Sequence, residues 1–398
     1  MKLNEQQIDW FFLIPVFMLL SIGVITIYSA AESGSGLFVQ QLIYVVIGLV
    51  VFVVASVFPL RIIEEIIPFV YLLSFILLLF TIFWGSGPAG RWLHLGPFNL
   101  QASEFAKFCV IILAARWLPA LKRESLAGGV SLFLVTVGIL IFLTLLQPDL
   151  GTAVSMAFLV FGMIYWAGFG FAWVFFFLSP LLAALSSIRF FTWIIFTATL
   201  SIVLYISKAT QRRWVFFLVM TSIIAAATPA AWGLLRPYQQ ARLTTFLNPE
   251  EDPFGAGWNV IQSKVAIGSG GVTGQGFGKG SQNELAFLPA RHTDFIFSVF
   301  AEEWGFIGSI FLLILYFLII WRLLNAANLA MNPFNSILSA GTAFFIMIHV
   351  LVNIGMTLGM MPVTGLPLPL VTYGGSHLIT EMLLLGLSFN VIKNWRSY

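Results

Sequence analysis

Long apolar runs, interrupted at short intervals by glycine, proline and charged residues, set the organisation of this chain. Reading each run against its breakers gives twelve segments, near residues 11–31, 37–58, 62–84, 104–120, 130–147, 150–167, 171–187, 190–207, 214–235, 295–321, 336–360 and 376–392. Crossing ~30 Å of hydrocarbon takes about 20 residues of helix, and these runs recur at that scale from end to end. The pattern predicts an all-α polytopic integral membrane protein with about twelve transmembrane helices. Two pairs are parted only by Gln147-Pro148-Asp149 and by Ser186 to Arg189, so ten longer, tilted helices is the alternative reading.

One long stretch is polar, from Arg236 to Asp294, and is expected to be a single loop within one transmembrane domain spanning 1–398. Within it, Asn248-Pro249-Glu250-Glu251-Asp252-Pro253 is a turn-forming cluster. Trp258, Ile261 and Val265 then fall at i, i+3 and i+7 among polar residues, which predicts a short amphipathic helix. That stripe either lies on the membrane surface or packs on the spans. Gly268 to Gly280 holds seven glycines, too flexible for a span, and suits a flap or a tight backbone turn near a substrate. Farther on, Pro362 to Pro369 and Tyr373-Gly374-Gly375-Ser376 predict an extended or re-entrant segment. Non-helical backbone at membrane depth survives only where it is buried in protein or lines a polar cavity.

Composition agrees with a membrane class: 60% of the 398 residues are hydrophobic and 9% charged, against roughly a quarter charged in soluble domains. The net charge of +3 points to no nucleic-acid partner. Cys109 is the single cysteine, which excludes an internal disulfide and a multi-cysteine zinc site. Glu5 and Asp9 make a poor signal-peptide n-region, so the first apolar segment reads as an uncleaved span. Alternate loops and ends carry Lys2, Arg61, Arg116, Arg212, Arg322 and Lys393, whereas the short loops between them carry only Arg91 and Arg189. The positive-inside rule then predicts both termini in the cytoplasm and the long loop outside.

Candidate chemistry concentrates on that outer side. Asp294 ends Arg291-His292-Thr293-Asp294 at the mouth of a new hydrophobic helix, a position packing alone explains poorly. Glu104 and Lys107 lie at i and i+3 on one helix face, where intramembrane charges usually meet a partner or a wet cavity. The plainer account is that Ser103 and Glu104 simply cap a helix start. Asp149, after Pro148, reads as a cap, and His377 as a helix-entry residue. Other chemistries fall away. Gly278-Lys279 lacks the flanking Gly and Ser/Thr of a P-loop, since Thr273 and Gly280 stand in those places. The four histidines lack metal-ligand spacing, and no GxSxG elbow occurs.

Taken together, these motifs resemble the SEDS family (shape, elongation, division, sporulation) of bacterial membrane proteins. The resemblance is carried by Arg91-Trp92, Ser103-Glu104 with Lys107, Gln147-Pro148-Asp149-Leu150-Gly151-Thr152, Asn248-Pro249, and Ile261-Gln262-Ser263-Lys264. It continues through Ile267-Gly268-Ser269-Gly270-Gly271, Arg291 to Phe297, Ala301-Glu302-Glu303, and Pro362 to Ser376, covering nearly the whole chain in order. Arg291, Ala301 and Leu366 to Val371 are similar to the elongation branch more than to the division branch. Ala102 and Thr372 depart from a usual proline and a common serine. The segment from about Arg189 to Arg213 adds what looks like one helical hairpin to the family's ten spans.

The resemblance implies a glycosyltransferase in the bacterial cytoplasmic (inner) membrane. It would polymerise lipid II, a disaccharide-pentapeptide on a polyprenyl diphosphate, into peptidoglycan strands during elongation. Inversion by single displacement follows from an α-linked donor and a β-linked product, with the matching Asp294 as general base. The leaving diphosphate needs positive charge from Arg91, Lys107, Lys264, Arg291 or a bound divalent cation, magnesium or manganese; Glu104 either holds Lys107 or helps coordinate such an ion. The implied partners are a class B penicillin-binding protein transpeptidase and other elongation-complex membrane proteins. The rival readings are a lipid II flippase, a division-type family member, and a scaffold that only recruits a synthase.

Orientation is directly measurable. Single cysteines in residues 268–280, in a Cys109→Ala background, are expected to label with a membrane-impermeant reagent in intact spheroplasts, whereas Ser397→Cys is not. The opposite pattern reverses the topology.

Overall fold

The computed structural model describes residues 9–31, 36–87, 90–95, 98–124, 127–187, 189–208, 210–234, 240, 246, 257–280 and 292–394. Among them are thirteen helices: α1 (Trp10–Ala30), α2 (Leu37–Val57), α3 (Leu60–Trp84), α4 (Ala102–Glu124), α5 (Ala127–Leu146), α6 (Leu150–Trp166), α7 (Phe171–Ser186), α8 (Phe190–Ile206), α9 (Gln211–Leu234), α10 (Trp258–Ser269), α11 (Ile296–Leu329), α12 (Pro333–Thr357) and α13 (Gly375–Lys393). A helix occupies each of the twelve expected apolar segments. Six of them, α1, α2, α3, α11, α12 and α13, are long and apolar enough to cross a membrane by themselves, and shorter apolar helices accompany them. The protein is therefore a polytopic α-helical membrane protein. A two-stranded hairpin was not anticipated. β1 (Trp92–Leu95) pairs antiparallel with β2 (Phe98–Gln101), in the register Trp92 to Gln101 and Leu93 to Leu100.

The burial pattern is that of a protein dissolved in lipid. Large apolar side chains such as Val57, Phe69, Phe83 and Phe317 face outward, while Thr26, Ser74 and Thr81 are buried. Those hydroxyls donate back to the carbonyl four residues earlier, to Ile22, Val70 and Leu77 at 2.7–2.8 Å. With no water in the bilayer core, that internal bond is how a buried hydroxyl is satisfied.

The chain gathers into two compact units, one of residues 1–160 with 242–398 and one of residues 161–241. In the smaller unit α7, α8 and α9 pack around Phe176, Ala183, Phe196, Leu200 and Leu204. In the larger unit α2 lies against α13, α1 against α11, α11 against α12, and α4 against both α3 and α12. One carboxylate ties two ends of that unit together. Asp9 caps α1 by accepting from Phe12 N at 3.1 Å, and it also pairs with the Arg322 guanidinium at 2.5 and 2.6 Å.

The glycine-rich run is a clamp of turns. Helix α11 breaks at Gly305, whose φ of 64° and ψ of −161° only glycine adopts readily. The break strands backbone groups, and the loop takes them up. Phe306 N and Ile307 N donate to the carbonyls of Gly271 and Val272 at 3.0 and 3.1 Å, and Gln275 N and Gly276 N donate to those of Glu302 and Glu303 at 3.0 Å. Gly278 N and Ser29 Oγ both reach Glu303 Oε1, which adds α1 to the knot. Of the two expectations for this loop, the tight backbone turn is the one observed.

Helix α10 is present as expected, and of the two alternatives for its stripe, packing on the spans is not the one observed. Val260, Ser263 and Ala266 are buried, whereas Val265 is exposed and Trp258 and Ile261 are half-buried. Small residues win this face because α10 approaches closely enough for Ser263 Oγ to bond Ser298 Oγ at 2.6 Å and the Thr357 carbonyl at 2.7 Å.

A side chain at 305 has no room: a Cβ there would come within 2.7 Å of Val272 O and 2.8 Å of Thr273 C. Gly305→Ala is expected to cost about 1–3 kcal/mol of backbone strain and to lower the thermal midpoint of the detergent-solubilised protein. Gly138→Ala, on α5 with open space around it, serves as the neutral control in the same melting experiment.

Candidate functional site

Several of the residues singled out from the sequence lie around a non-helical segment of the larger unit that holds helix starts together. Residues 362–368 run extended between α12 and α13, and Leu366, Leu368, Pro369 and Leu370 are buried. Their backbone groups find side-chain partners. Asn353 Nδ2 donates to the Leu366 carbonyl at 2.8 Å, Tyr316 Oη donates to that of Pro369 at 2.6 Å, and Leu368 N donates to Thr372 Oγ1 at 2.7 Å. Leu370, with φ of 63°, donates its N–H to Glu381 Oε2 at 2.9 Å. Gly23 of α1 lets this turn come close, since a Cβ there would lie 2.6 Å from the Leu370 carbonyl oxygen. His377 sits in the first turn of α13 with Nε2 on the Thr372 carbonyl at 3.1 Å, which is its predicted place as a helix-entry residue.

Asp294 lies in the turn of residues 292–295 that leads into α11, and it is half-buried. The turn is pinned on two sides. Asn353 Nδ2 donates to the Asp294 carbonyl at 3.0 Å, and Tyr373 N donates to the His292 carbonyl at 3.1 Å. The His292 ring meets that of Tyr373 edge-on, with centroids 5.8 Å apart. Burial, with Tyr44 alongside, pushes the Tyr373 phenol up to about 12; it stays protonated and donates to Gln40 Oε1 at 2.5 Å. Asp294 stands two residues ahead of α11, at the end where a helix dipole favours negative charge.

Glu104 and Lys107 are deep in the protein, 3% and 1% exposed. Lys107 Nζ bonds Glu104 Oε1 at 2.8 Å and His349 Nε2 at 2.9 Å, and it lies 5.3 Å from the centre of the Phe345 ring. This is an ion pair inside the bundle and not only a helix start. Arg91 forms a second pairing: Nη1 is 3.4 Å from Asp149 Oδ1 and Nη2 donates to the Pro148 carbonyl. Asp149 also caps α6 through Thr152 N at 3.3 Å and accepts from Gln101 Nε2 and Ser103 Oγ at 3.2 and 3.4 Å. It is the predicted cap and, in addition, the anchor of Arg91. Lys264 is exposed on α10, its stem beside Gly359. Arg291 lies outside the described residues.

Sequence reasoning missed His349, Asn353 and Glu381. His349 and Asn353 are spaced i, i+4 on α12, a polar pair on one face of an apolar helix, and that spacing was the available signal. For a divalent cation, no three or more His, Cys, Asp or Glu side chains converge among the described residues. They form no all-protein cage.

The fold and this end of it define a polytopic membrane protein with a carboxylate poised in a locked turn and charged pairs buried behind it. A family model described as cell cycle protein, of the FtsW, RodA and SpoVE group, matches residues 3–193 and 190–397. The chain belongs to that family, the SEDS family, as its motifs indicated. It is 36% identical over 397 residues to the peptidoglycan glycosyltransferase MrdB of Escherichia coli K12, covering 98% of this chain and 94% of that protein. Its fold is similar to a chain of a peptidoglycan synthase complex studied for the coordination of polymerization and crosslinking, with a TM-score of 0.71, 27% identity, and 98% and 99% of the two chains covered. The crystal structure of the rod shape determining protein RodA of Thermus thermophilus matches with a TM-score of 0.65 and 26% identity over 99% and 100% of the chains.

Removing one partner of a buried pair leaves an uncompensated charge and costs about 3–5 kcal/mol. Asp149→Ala is expected to lower the thermal midpoint markedly. In a double-mutant cycle, Asp149→Ala with Arg91→Leu should cost less than the sum of the two single changes, which shows the coupling directly.

Proposed function

We propose that this chain is a peptidoglycan glycosyltransferase that polymerises lipid II during cell elongation, with Asp294 as its general base. What carries the reading is the state of Asp294, a half-buried carboxylate whose backbone is bonded by Asn353 and whose turn is held by Tyr373. The full-length likeness to named peptidoglycan glycosyltransferases supports it. Chain growth needs a base to take the proton of the acceptor sugar hydroxyl as its oxygen attacks the anomeric carbon and the diphosphate leaves. A fixed carboxylate within hydrogen-bond reach serves that step.

The cations divide by access. Lys264 is exposed and stands available to a diphosphate, the role the motif also suggests for Arg291. Arg91 is half-buried and braced by Asp149, so its charge acts on the site from a fixed place. Lys107, fully buried, acts by organising the protein around the site. A divalent cation belongs here only as a companion of the substrate's diphosphate, the usual manner of magnesium, which keeps one or two carboxylates and fills its shell with phosphate oxygens and water. In our reading Asp294 faces the extracytoplasmic side, both termini are cytoplasmic, and a class B penicillin-binding protein crosslinks the product. The likeness to a chain of a synthase complex supports such a partner.

One observation favours a flippase as the second reading. Helix α11 is discontinuous at Gly305, and broken helices are common at transporter sites. The break is closed by residues 270–278, which suits a fixed scaffold better than a moving gate.

Purified protein incubated with lipid II and its partner separates these readings. Asp294→Asn is expected to lower glycan polymerisation by about 10²- to 10⁴-fold while expression and the thermal midpoint persist. Near-normal polymerisation by that variant would sink the base assignment. Lipid II translocation without polymerisation by the wild type would favour the flippase.

A further inference from the structure

We infer that His349 and Asn353 are positioning residues for Asp294, and that Lys107 acts on the site through them. The inference rests on the reading of Asp294 as the base. His349 Nδ1 lies 2.8 Å from the Phe345 carbonyl, which can only accept. Nδ1 therefore carries the ring proton, and Nε2 offers its lone pair to the Lys107 ammonium at 2.9 Å. The imidazole is thus neutral, with both nitrogens committed, and it joins α4 to α12 at a fixed register. Glu104, on the other side of Lys107 at 2.8 Å, balances the charge.

Asn353 sits one helical turn beyond His349 on the same face of α12, about 5–6 Å along. Its amide nitrogen meets two carbonyl oxygens, those of Asp294 at 3.0 Å and Leu366 at 2.8 Å, so the atom facing both must be the NH2. Both amide hydrogens are spent on the two backbones that flank the site, and Oδ1 is buried with no hydrogen-bond partner among the described residues. A side chain placed only for packing would not bond two separate backbone segments at once. The chain of contacts therefore runs Glu104, Lys107, His349, along α12 to Asn353, and on to the backbone of Asp294. Through it a lysine only 1% exposed reaches the backbone of the site without touching the substrate.

The test compares four variants of the full chain, purified with its partner and assayed on lipid II, with kcat, KM and thermal midpoint measured for each. His349→Gln keeps an acceptor for Lys107, whereas His349→Leu does not. Asn353→Asp keeps the shape of asparagine but removes both donors. Asp294→Asn reports on the base itself. We expect His349→Leu and Asn353→Asp to lower kcat ten-fold or more with KM within two-fold, and His349→Gln to retain most of the wild-type rate. If Asn353→Asp does not fold, the His349 pair decides. Wild-type kcat in His349→Leu, or equal losses in His349→Leu and His349→Gln that follow the drop in thermal midpoint, would overturn the inference. Those results with an inactive Asp294→Asn leave the proposed base standing; an active Asp294→Asn would instead remove the base assignment.

Discussion

A lipid bilayer offers no water to an unpaired backbone group, and the protein is organised around that constraint. Most of the chain meets it with continuous helix. Where helix stops within the bundle, at Gly305 and over residues 362–374, the freed groups are met from inside the protein. The first break is closed by the backbone of residues 270–278. The second is closed by side chains drawn from other helices: Asn353, Tyr316 and Glu381. Because these partners come from three different helices, closing the second break also ties α11, α12 and α13 together. The candidate base sits where the second closure takes place.

Charge follows the same economy. Isolated buried charges are costly, and several of those here are paired: Lys107 with Glu104 and His349, Arg91 with Asp149, Arg322 with Asp9. Such pairs add little net stability compared with well-packed apolar residues, because desolvation offsets the attraction. Their value lies in register, since a misplaced helix would leave a charge uncompensated. Asp149 shows how much one carboxylate can organise: it caps α6, braces Arg91, and accepts from Gln101 and Ser103 at the junction of β2 and α4.

Close backbone approach lets these polar contacts form. Gly151 of α6 faces the carbonyl of Thr364, where a Cβ would lie 2.5 Å from the oxygen, and Gly386 of α13 faces the backbone of Phe52 on α2. Without a hydrophobic drive between helices in lipid, small residues that bring backbones together are a main source of packing energy. In the larger unit, glycines at such points let the extended segment and the helix starts around Asp294 share one compact polar end.

Hydropathy alone placed the twelve apolar helices, because long apolar runs in a bilayer settle as helix. The motifs likewise marked Asp294, the Glu104 and Lys107 pair, and the non-helical stretch before α13, since charge and proline are conspicuous against an apolar background. Which residues those groups would meet was decided by the tertiary structure. His349 reaches Lys107 from 242 positions away, and Asn353 reaches Asp294 from 59. The packing of α10 was equally out of reach: periodicity reports which face is apolar, while the face buried against α11 and α12 is the small one of Val260, Ser263 and Ala266. Local sequence sets what each helix can bury. Only the packing of helices remote in sequence selects which polar groups become partners, because that choice depends on distances no single segment encodes.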